Sequence, residues 1–363
     1  MVKLNLVKSS NDELVSKPLV AVFVGATSGI GAYTVRCLAK THGKTGKGLR
    51  VYIVGRNAKA AESIIAECQK SCPAGQFLFQ SANDLALMKE VDITCKQLIK
   101  TEEKEASAKG ETPRIDILVM SHANFKPWDP RNETSEGLDT FMSLLFYSRA
   151  RFTTNLLPLL LSSSLPAHVV SVFGPGRDAS FFPDDLSLRD PKNYGFMSSG
   201  SHAAYLKTFF FEYLAAKYPG KLSLCHYFPG LVLHEGFDSG LNDPSFPWWF
   251  KASIKYLKPI MKLAPSTVPC EESGERTLFN ASKRFPPKSV DGKANIAAAG
   301  AIGVAESSDG VLGGGSYRVN YNGEQVAIGK QYKKMREDGW AEKSVQHTLK
   351  CFEDIEATGH FSG

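Results

Sequence analysis

The sequence predicts an α/β fold, a doubly wound parallel sheet of about seven strands with a lid insertion before the last strand. Two short apolar runs, LVAVFV at 19–24 and VYIVGRN at 51–57, have the length and continuity of strands that are buried on both faces. Helical periodicity follows each run, and strands that alternate with helices at this spacing are typical of a parallel sheet. The glycine-rich run GATSGIG lies directly between the first strand and the first helix, where the chain has to turn sharply.

The remaining elements follow in chain order. Residues 1–17 are polar and are expected to form a loose N-terminal arm, and the charged residues 101–114 are expected to form a linker. The pattern predicts a third strand with its turn within 76–85 and further strands at 115–121, 168–173, 221–228 and 316–321. It predicts helices from the glycine-rich run to about residue 40 and at 58–71, 86–100, 135–163, 198–218 and 271–283.

One domain is expected to account for most of the chain. We assign it residues 18–330, because nothing between the strands before residue 235 is long enough to form another domain. Within it, residues 236–270 are interpreted as a substrate lid. Residues 331–363 are interpreted as a C-terminal helical extension.

Composition and charge exclude several classes of protein. The 363 residues are 43% hydrophobic and 22% charged, which excludes a disordered chain and a coiled coil. The net charge of +6 is mild and does not indicate a nucleic-acid partner. The seven cysteines lack the spacing of a zinc site or of a secreted disulfide framework, so we expect no metal and a reduced, cytoplasmic protein. No apolar run reaches the ~18 residues of a membrane span, and the first residues do not resemble a signal peptide.

The glycine-rich run carries the strongest functional signal. Glycine is required where the backbone approaches a pyrophosphate closely or takes a positive φ. The following helix N-terminus offers free N–H groups and a partial positive charge. In its position between a strand and a helix, the run predicts a nucleotide-binding loop. Its binding residues are Gly25, Thr27, Ser28, Gly29, Ile30 and Gly31.

The GxxxGIG spacing of this run resembles the short-chain dehydrogenase/reductase family, whose domain is Rossmann-like. Three further pairs of residues agree with the resemblance, which covers about residues 18–235 and the last strand. They are Asp84-Leu85 after the third strand, Ser121-His122 after the fourth and Pro229-Gly230 after the sixth. The resemblance implies that these pairs, together with the glycine-rich run, bind a nicotinamide cofactor.

The end of the second strand, Arg56-Asn57, bears on the choice of cofactor. Members of the family that prefer NAD typically carry a carboxylate at this place, where it binds the ribose 2′-hydroxyl. Arg56 would instead pair with a 2′-phosphate, and Asn57 can donate a hydrogen bond to it. The sequence therefore predicts NADP(H) as the cofactor. The alternative is that Arg56 only forms a salt bridge at the surface.

The catalytic residues that the resemblance implies are missing. The family uses a serine, a Tyr-x-x-x-Lys pair on one helix and an assisting asparagine. The serine position reads Phe173-Gly174, and the asparagine position falls within 145–147, which contains no asparagine. The Tyr and Lys positions fall on Gly200 and Ala204 or, one residue later, on Ser201 and Tyr205. We therefore expect the usual chemistry of the family to be weak or absent.

Other side chains near these positions are candidates for catalysis. Tyr194, Ser198, His202 and Tyr205 follow spacings of 4, 4 and 3, and they share a helix face if the helix begins by residue 194. Histidine is the side chain that ordinarily titrates near neutral pH, so we take His202 and Tyr205 as the leading acid–base groups. Ser171 is the hydroxyl nearest to the end of the fifth strand.

Three further histidines and one lysine also bear on this role. His122, His226 and His234 are further candidates, although a lone histidine is also compatible with an ordinary core or surface position. Lys207 is set aside, because it lies two residues after Tyr205 and therefore nearly opposite it on a helix.

The lid contains a basic, amphipathic segment. Four lysines at 251, 255, 258 and 262 follow spacings of 4, 3 and 4, and an apolar side chain precedes each of them. Pro259 is expected to break or kink this helix. A large lipophilic substrate or peripheral membrane contact through 247–263 fits this composition, and so does a helix that packs on the core with solvated lysines.

The divergent core, the segment ESGERT at 272–277 and the glycine-rich end resemble a fungal branch of the family that occurs in secondary-metabolite pathways. We therefore expect an NADP(H)-binding oxidoreductase that acts on a hydrophobic, polyketide-like metabolite with non-standard catalytic residues. Two alternatives stay open: a non-redox cyclase, isomerase or dehydratase on the same scaffold, and a catalytically silent nucleotide-binding protein. A homo-oligomer also stays open.

Overall fold

Seven strands form the sheet at the centre of the fold. The computed structural model describes residues 1–124, 129–176, 178–234, 247–291, 299–300 and 302–363. The strands are β1 Leu19–Val24, β2 Leu49–Gly55, β3 Gln76–Ser81, β4 Ile117–Met120, β5 Ala167–Val172, β6 Leu222–Tyr227 and β7 Ser316–Val319. Their order is β3-β2-β1-β4-β5-β6-β7, and every neighbouring pair is parallel. The predicted doubly wound parallel sheet is confirmed.

Helices cover both faces of this sheet. They are α1 Leu4–Leu14, α2 Gly29–Thr45, α3 Ala58–Ser71, α4 Met88–Ser107, α5 Thr140–Met142, α6 Ser148–Asn155, α7 Leu157–Leu161, α8 Phe196–Lys217, α9 Trp248–Met261, α10 Cys270–Phe279, α11 Lys330–Glu337 and α12 Trp340–Thr358. A π-helical turn, Ser143–Tyr147, joins α5 to α6. Alternate residues of β1 point into two separate apolar clusters, one on each face, which is why the strand reads as a continuous apolar run.

The strand order places a crevice at one edge of the sheet. β1 lies between β2 and β4, so the connections leave it in opposite directions. In such sheets ligands bind at this point, beyond the carboxyl ends of the strands. The glycine-rich run follows β1 directly and therefore lies in the crevice.

The N-terminal segment differs from the expected loose arm. Residues 4–14 form α1, in which Val7 and Asn11 are buried. The Asn11 amide donates a hydrogen bond of 2.8 Å to Glu275 on α10. The arm was predicted from its polar composition, but its few apolar side chains recur at helical spacing and find a partner helix.

The charged linker expected at 101–114 is also wrong in its first half. Helix α4 continues to Ser107, and Glu102 is buried against the sheet. Its carboxylate accepts hydrogen bonds of 2.7 and 2.8 Å from the guanidinium of Arg50 and one of 2.9 Å from Tyr52. A charged residue that pairs in this way can belong to the interior, which composition alone does not indicate.

The single helix expected over 135–163 is divided into several pieces. Gly137 has a φ of +83°, and the Asp139 carboxylate caps α5 by accepting a hydrogen bond of 2.9 Å from the Met142 N–H. Further on, Pro158 begins a new helix, because its ring fits only the first turn. These features end and restart the helix in a segment where the apolar pattern is continuous.

The lid region is described only in part. Residues 236–246 of the predicted lid lie outside the described residues. Pro259 was expected to break or kink the next helix. It lies inside α9, close to the C-terminal end of the helix, so it does not break the helix at that position. In the part of the chain that the structure describes, no helix is both long and apolar enough to span a membrane.

Candidate functional site

The glycine-rich loop between β1 and α2 leaves no room for side chains at two positions. Gly25 has a φ of +80°, and a Cβ atom there would lie 2.5 Å from the backbone nitrogen of His122. A Cβ atom on Gly31 would lie 2.7 Å from the Ser121 hydroxyl, which itself donates to the backbone of the loop. The glycine-rich loop therefore packs tightly against the turn after β4. This contact brings together two segments that the sequence predicts to bind one cofactor.

The helix N-terminus that follows the loop is open to a ligand. Ser28 precedes α2 without a side-chain capping hydrogen bond, and the first turn contains no acidic residue. The backbone N–H groups of this turn can therefore bind a phosphate. Gly29 has a φ of +57°, and a Cβ atom on it would lie 2.9 Å from the ring of His234. The sequence analysis named His234 only as a lone histidine, but its ring packs against Gly29 of the glycine-rich loop.

The predicted 2′-phosphate residues lie beside this loop. Gly55 ends β2, and a Cβ atom on it would lie 2.6 Å from the Thr27 side chain. Arg56 follows and is exposed. The Asn57 carbonyl oxygen caps α3 by accepting a hydrogen bond of 3.0 Å from the Ala60 N–H, so only its NH₂ group stays available to a ligand.

The two remaining pairs have structural roles of their own. The Asp84 carboxylate is exposed and accepts a hydrogen bond of 2.9 Å from the Ala86 N–H, while Leu85 is buried beside it. After β6, Pro229 leads into Gly230, whose φ is +78°, and a Cβ atom there would lie 2.5 Å from the Ser266 carbonyl. This turn connects the sheet edge to the segment before α10. The assignment of these residues to the cofactor stays a prediction.

The structure divides the predicted catalytic stripe into two pairs. Helix α8 begins at Phe196, so Tyr194 precedes it, and its hydroxyl donates 3.0 Å to Asp139. Ser198 donates to the carbonyls of Asn193 and Gly195 at 2.7 and 3.0 Å and so closes the first turn of α8. Both hydroxyls therefore stabilise the start of this helix.

His202 and Tyr205 contact the segment after β5 instead. The His202 Nε2 atom accepts a hydrogen bond of 2.8 Å from the Phe182 N–H, which places the ring proton on Nδ1. The Tyr205 hydroxyl donates a hydrogen bond of 2.9 Å to the Asp178 carbonyl. The centre of the Phe181 ring lies 5.2 Å from the centres of the His202 and Tyr205 rings. Burial lowers the pKa of His202 to about 4 and raises the pKa of Tyr205, so both are neutral at neutral pH.

Tyr205 also lines an open groove of about 520 Å³. Aromatic and apolar side chains form much of its surface, among them Phe181, Met335 and Trp340. The groove lies where the chain leaves β5 and where the C-terminal helices α11 and α12 meet, with α12 packed against α8. Its lining is compatible with a hydrophobic ligand.

Ser171 is fully buried within β5 and its hydroxyl faces Arg149 of α6. The Arg149 guanidinium donates to Ser171 at 3.0 Å and to the carbonyls of His122, Val172 and Leu144 at 2.6–3.0 Å. These bonds tie α6 to the ends of β4 and β5. The sequence analysis did not identify Arg149, although an arginine between apolar helical positions is the signal that could have done so.

Lys207 is the second residue that sequence reasoning missed. It was compared only with Tyr205, but seven residues separate it from Gly200, so these two share one face of α8. Lys207 is buried, and its ammonium lies 5.1 Å from the centre of the Phe173 ring. Gly200 faces the same ring, with 3.5 Å between Phe173 and a Cβ atom placed on Gly200. His202 is turned by roughly 200° from this face.

Fungal proteins resemble the chain over nearly its whole length. It is 37% identical over 340 residues to the short-chain dehydrogenase/reductase SAT2 of Stachybotrys chartarum, covering 93% of this chain and 92% of the relative. It is 34% identical over 345 residues to the oxidoreductase AN1596 of Emericella nidulans, covering 93% and 94%. No protein-family model matches the chain.

Solved structures share the fold at low identity. L-sorbose reductase from Gluconobacter frateurii, solved with NADPH and L-sorbose, matches with a TM-score of 0.54 at 17% identity, over 86% of this chain and 98% of the other. An NADPH-bound carbonyl reductase from chicken fatty liver matches with a TM-score of 0.52 at 14% identity, over 86% and 99%. At these identities the likeness concerns the fold alone.

Proposed function

Because the chain belongs to the short-chain dehydrogenase/reductase family, we propose that it is an NADP(H)-dependent oxidoreductase that acts on a hydrophobic small molecule. The observation that carries the proposal is the glycine-rich loop. Gly25 and Gly29 have positive φ values and no space for a side chain, and the uncapped N-terminus of α2 follows them. This combination fits the pyrophosphate of a dinucleotide.

Arg56 provides the basis for the choice of NADP(H). It follows Gly55, which touches Thr27 of the loop, so its guanidinium is within reach of a ribose next to the pyrophosphate. The site carries no carboxylate at Arg56 or Asn57 that would repel a 2′-phosphate. Neighbours in fold were solved with NADPH, which is consistent with this choice.

We expect the substitution Arg56→Glu to weaken the binding of NADPH by about 10- to 150-fold, with little change for NADH. A charge-assisted hydrogen bond to the phosphate contributes about 1.5–3 kcal/mol, and the new carboxylate adds repulsion. Fluorescence titration of both cofactors measures the effect. Lys59→Glu is the matched control, because it makes the same charge change at an exposed site three residues away. Equal affinity of the unmodified protein for NADPH and NADH would contradict the role given to Arg56.

The reaction needs a hydride, a bound substrate and a proton. When bound, NADPH supplies a hydride to a substrate carbonyl carbon. The groove beside Tyr205 accepts the hydrophobic part of the substrate. A side chain must then give a proton to the carbonyl oxygen. By the sequence alignment, the family's Tyr and Lys positions fall on Gly200 and Ala204 or, one residue later, on Ser201 and Tyr205, and neither register provides the usual pair. Reduction of simple ketones is therefore expected to be slow.

The sequence-derived proton donors, His202 and Tyr205, are tested by a double variant. His202→Ala with Tyr205→Phe is expected to lower turnover by about 100-fold or more, which is the contribution of a general acid or base. The measurement is NADPH consumption with a panel of lipophilic ketones and quinones. The single variant His360→Ala, at an exposed histidine, controls for histidine replacement. Unchanged turnover in a folded double variant would place the chemistry on the opposite face of α8, with Gly200, Ala204 and Lys207.

The same assay separates the alternatives that the sequence left open. Substrate conversion without NADPH consumption would favour a cyclase, isomerase or dehydratase. Tight nucleotide binding without any conversion would favour a silent binding protein.

Peripheral membrane contact also stays a prediction. It now concerns the exposed side chains of Trp249, Tyr256 and Ile260 on α9, in a segment with lysines and no acidic residue between 247 and 263. A homo-oligomer stays a prediction as well.

A further inference from the structure

A group of basic side chains lies buried at the carboxyl ends of β5, β6 and β7. Ser171, His226 and Arg318 are neighbours in register across these three strands, so their side chains point to the same face of the sheet. Helix α8 covers that face and adds Lys207, and α6 adds Arg149. We call Arg149, Lys207, His226 and Arg318 the basic cluster. All four side chains are buried, and none of them touches the glycine-rich loop or the groove beside Tyr205 in the described contacts.

The charge of the basic cluster is not balanced. Within the described residues, the one carboxylate that pairs with it is Asp178, which forms an ion pair with Arg318. The Lys207 ammonium and both ring nitrogens of His226 have no hydrogen-bond partner among those residues. Burial of unpaired positive charge costs several kcal/mol, so the protein either keeps Lys207 neutral or accommodates an anion there. The charge of Arg149 adds to burial in lowering the pKa of Lys207.

The geometry points to one opening for such an anion. The Phe173 ring stacks on His226 with 6.0 Å between ring centres and lies over the Lys207 ammonium. Phe173 is the first residue after β5, at the carboxyl end of the strand, and it is half-buried. Gly200 of α8 lies near the tip of this ring and has no side chain to restrict it. A lysine side chain on a helix also points towards the N-terminal end of the helix, which brings the ammonium towards Ala204 and Gly200.

We propose that the basic cluster is a binding site for an anionic oxygen of the substrate, with Lys207 as the group that contacts it when the Phe173 ring moves aside. The inference rests on the proposed function and names the substrate class: a carbonyl compound that also carries an anionic oxygen, either a carboxylate or the oxygen of an enolised dicarbonyl, rather than a ketone without such a group. The ammonium of Lys207 donates to the oxygen. Arg149 and Arg318 are positioning residues that act through their charge: Arg149 is bonded to Ser171 and to the His122 carbonyl, and one guanidinium nitrogen of Arg318 pairs with Asp178.

Binding of two matched probes tests the site without any turnover. Benzoate carries the anionic oxygen, and benzamide is its neutral isostere. Calorimetric titration is expected to give tighter binding of benzoate than of benzamide to the NADP-loaded protein. Lys207→Met should weaken the binding of benzoate by at least about tenfold and leave the binding of benzamide unchanged. Lys333→Met, at an exposed lysine of α11, is the matched control and should change the affinity for neither probe. Equal binding of the two probes, or benzoate binding that survives Lys207→Met, would overturn the proposal.

Two further measurements keep the proposal testable. Without ligand, Lys207→Met should leave the melting temperature unchanged or raise it, because methionine removes an unpaired buried charge while it fills a similar volume. A marked fall, or failure to fold, would make Lys207 a structural residue and overturn the proposal. Crystals of the unmodified protein soaked in sodium bromide should show an anomalous peak beside the Lys207 ammonium, and peaks only at other sites would count against it. A protein that prefers benzoate but does not bind NADPH would refute the proposed function alone.

Discussion

Acidification from pH 7 to pH 5 is expected to lower the free energy of unfolding by several kcal/mol. Burial lowers the pKa of His122, His202 and His226 in the folded protein, to about 4 for His202. In the unfolded chain these rings titrate near 6.5. Above this pH both states are neutral and the stability is fully present. Below it the unfolded chain binds more protons, so each ring removes about 1.4 kcal/mol per pH unit until its folded pKa is reached.

Urea unfolding at a series of pH values measures this dependence, and one variant isolates a single ring. His202→Gln keeps an acceptor for the Phe182 N–H but cannot titrate. Its stability should therefore fall less steeply, by about 1.4 kcal/mol per pH unit, between pH 6.5 and about 4. A variant with the same slope as the unmodified protein would show that His202 is protonated in the folded state.

Loss of the buried carboxylate on α4 is expected to have a comparable effect at neutral pH. The substitution Glu102→Ala should lower the free energy of unfolding by about 3–5 kcal/mol, because it leaves the guanidinium of Arg50 buried without a counter-charge. Arg50 is 3% exposed and Glu102 is 1% exposed, so water cannot replace the lost partner without a rearrangement. The Tyr52 hydroxyl and the Arg114 N–H also lose their acceptor.

Chemical denaturation of two neighbouring variants checks this prediction. Glu103→Ala removes the same side chain one residue further on, where it is exposed, and should change the stability by less than about 0.5 kcal/mol. Similar losses in both variants would mean that helix propensity in α4, rather than the buried pair, determines the result. The second partner of Arg50, Glu111, is partly exposed and cannot compensate fully.

The segment around Glu102 also shows where sequence reasoning reached its limit. The run of charged residues at 101–114 predicted a solvated linker, and that interpretation is correct for most charged runs. Glu102 belongs to the interior because Arg50 and Tyr52 meet it from β2, about fifty residues earlier in the chain. No local pattern contains that information.

The sequence by itself determined the strands, the direction of the sheet and the place of the glycine-rich loop. Apolar runs, helical periodicity and glycines are patterns among residues close in the sequence. They reflect the free energies of backbone conformation and of burial. Only the tertiary structure decided which face of each helix, above all of α8, packs against the sheet. It placed Lys207 beside Phe173, separated Tyr194 and Ser198 from His202 and Tyr205, and laid His234 on Gly29. Such contacts join residues far apart in the chain, and they depend on packing between whole elements, which the spacing of residues within one helix does not specify.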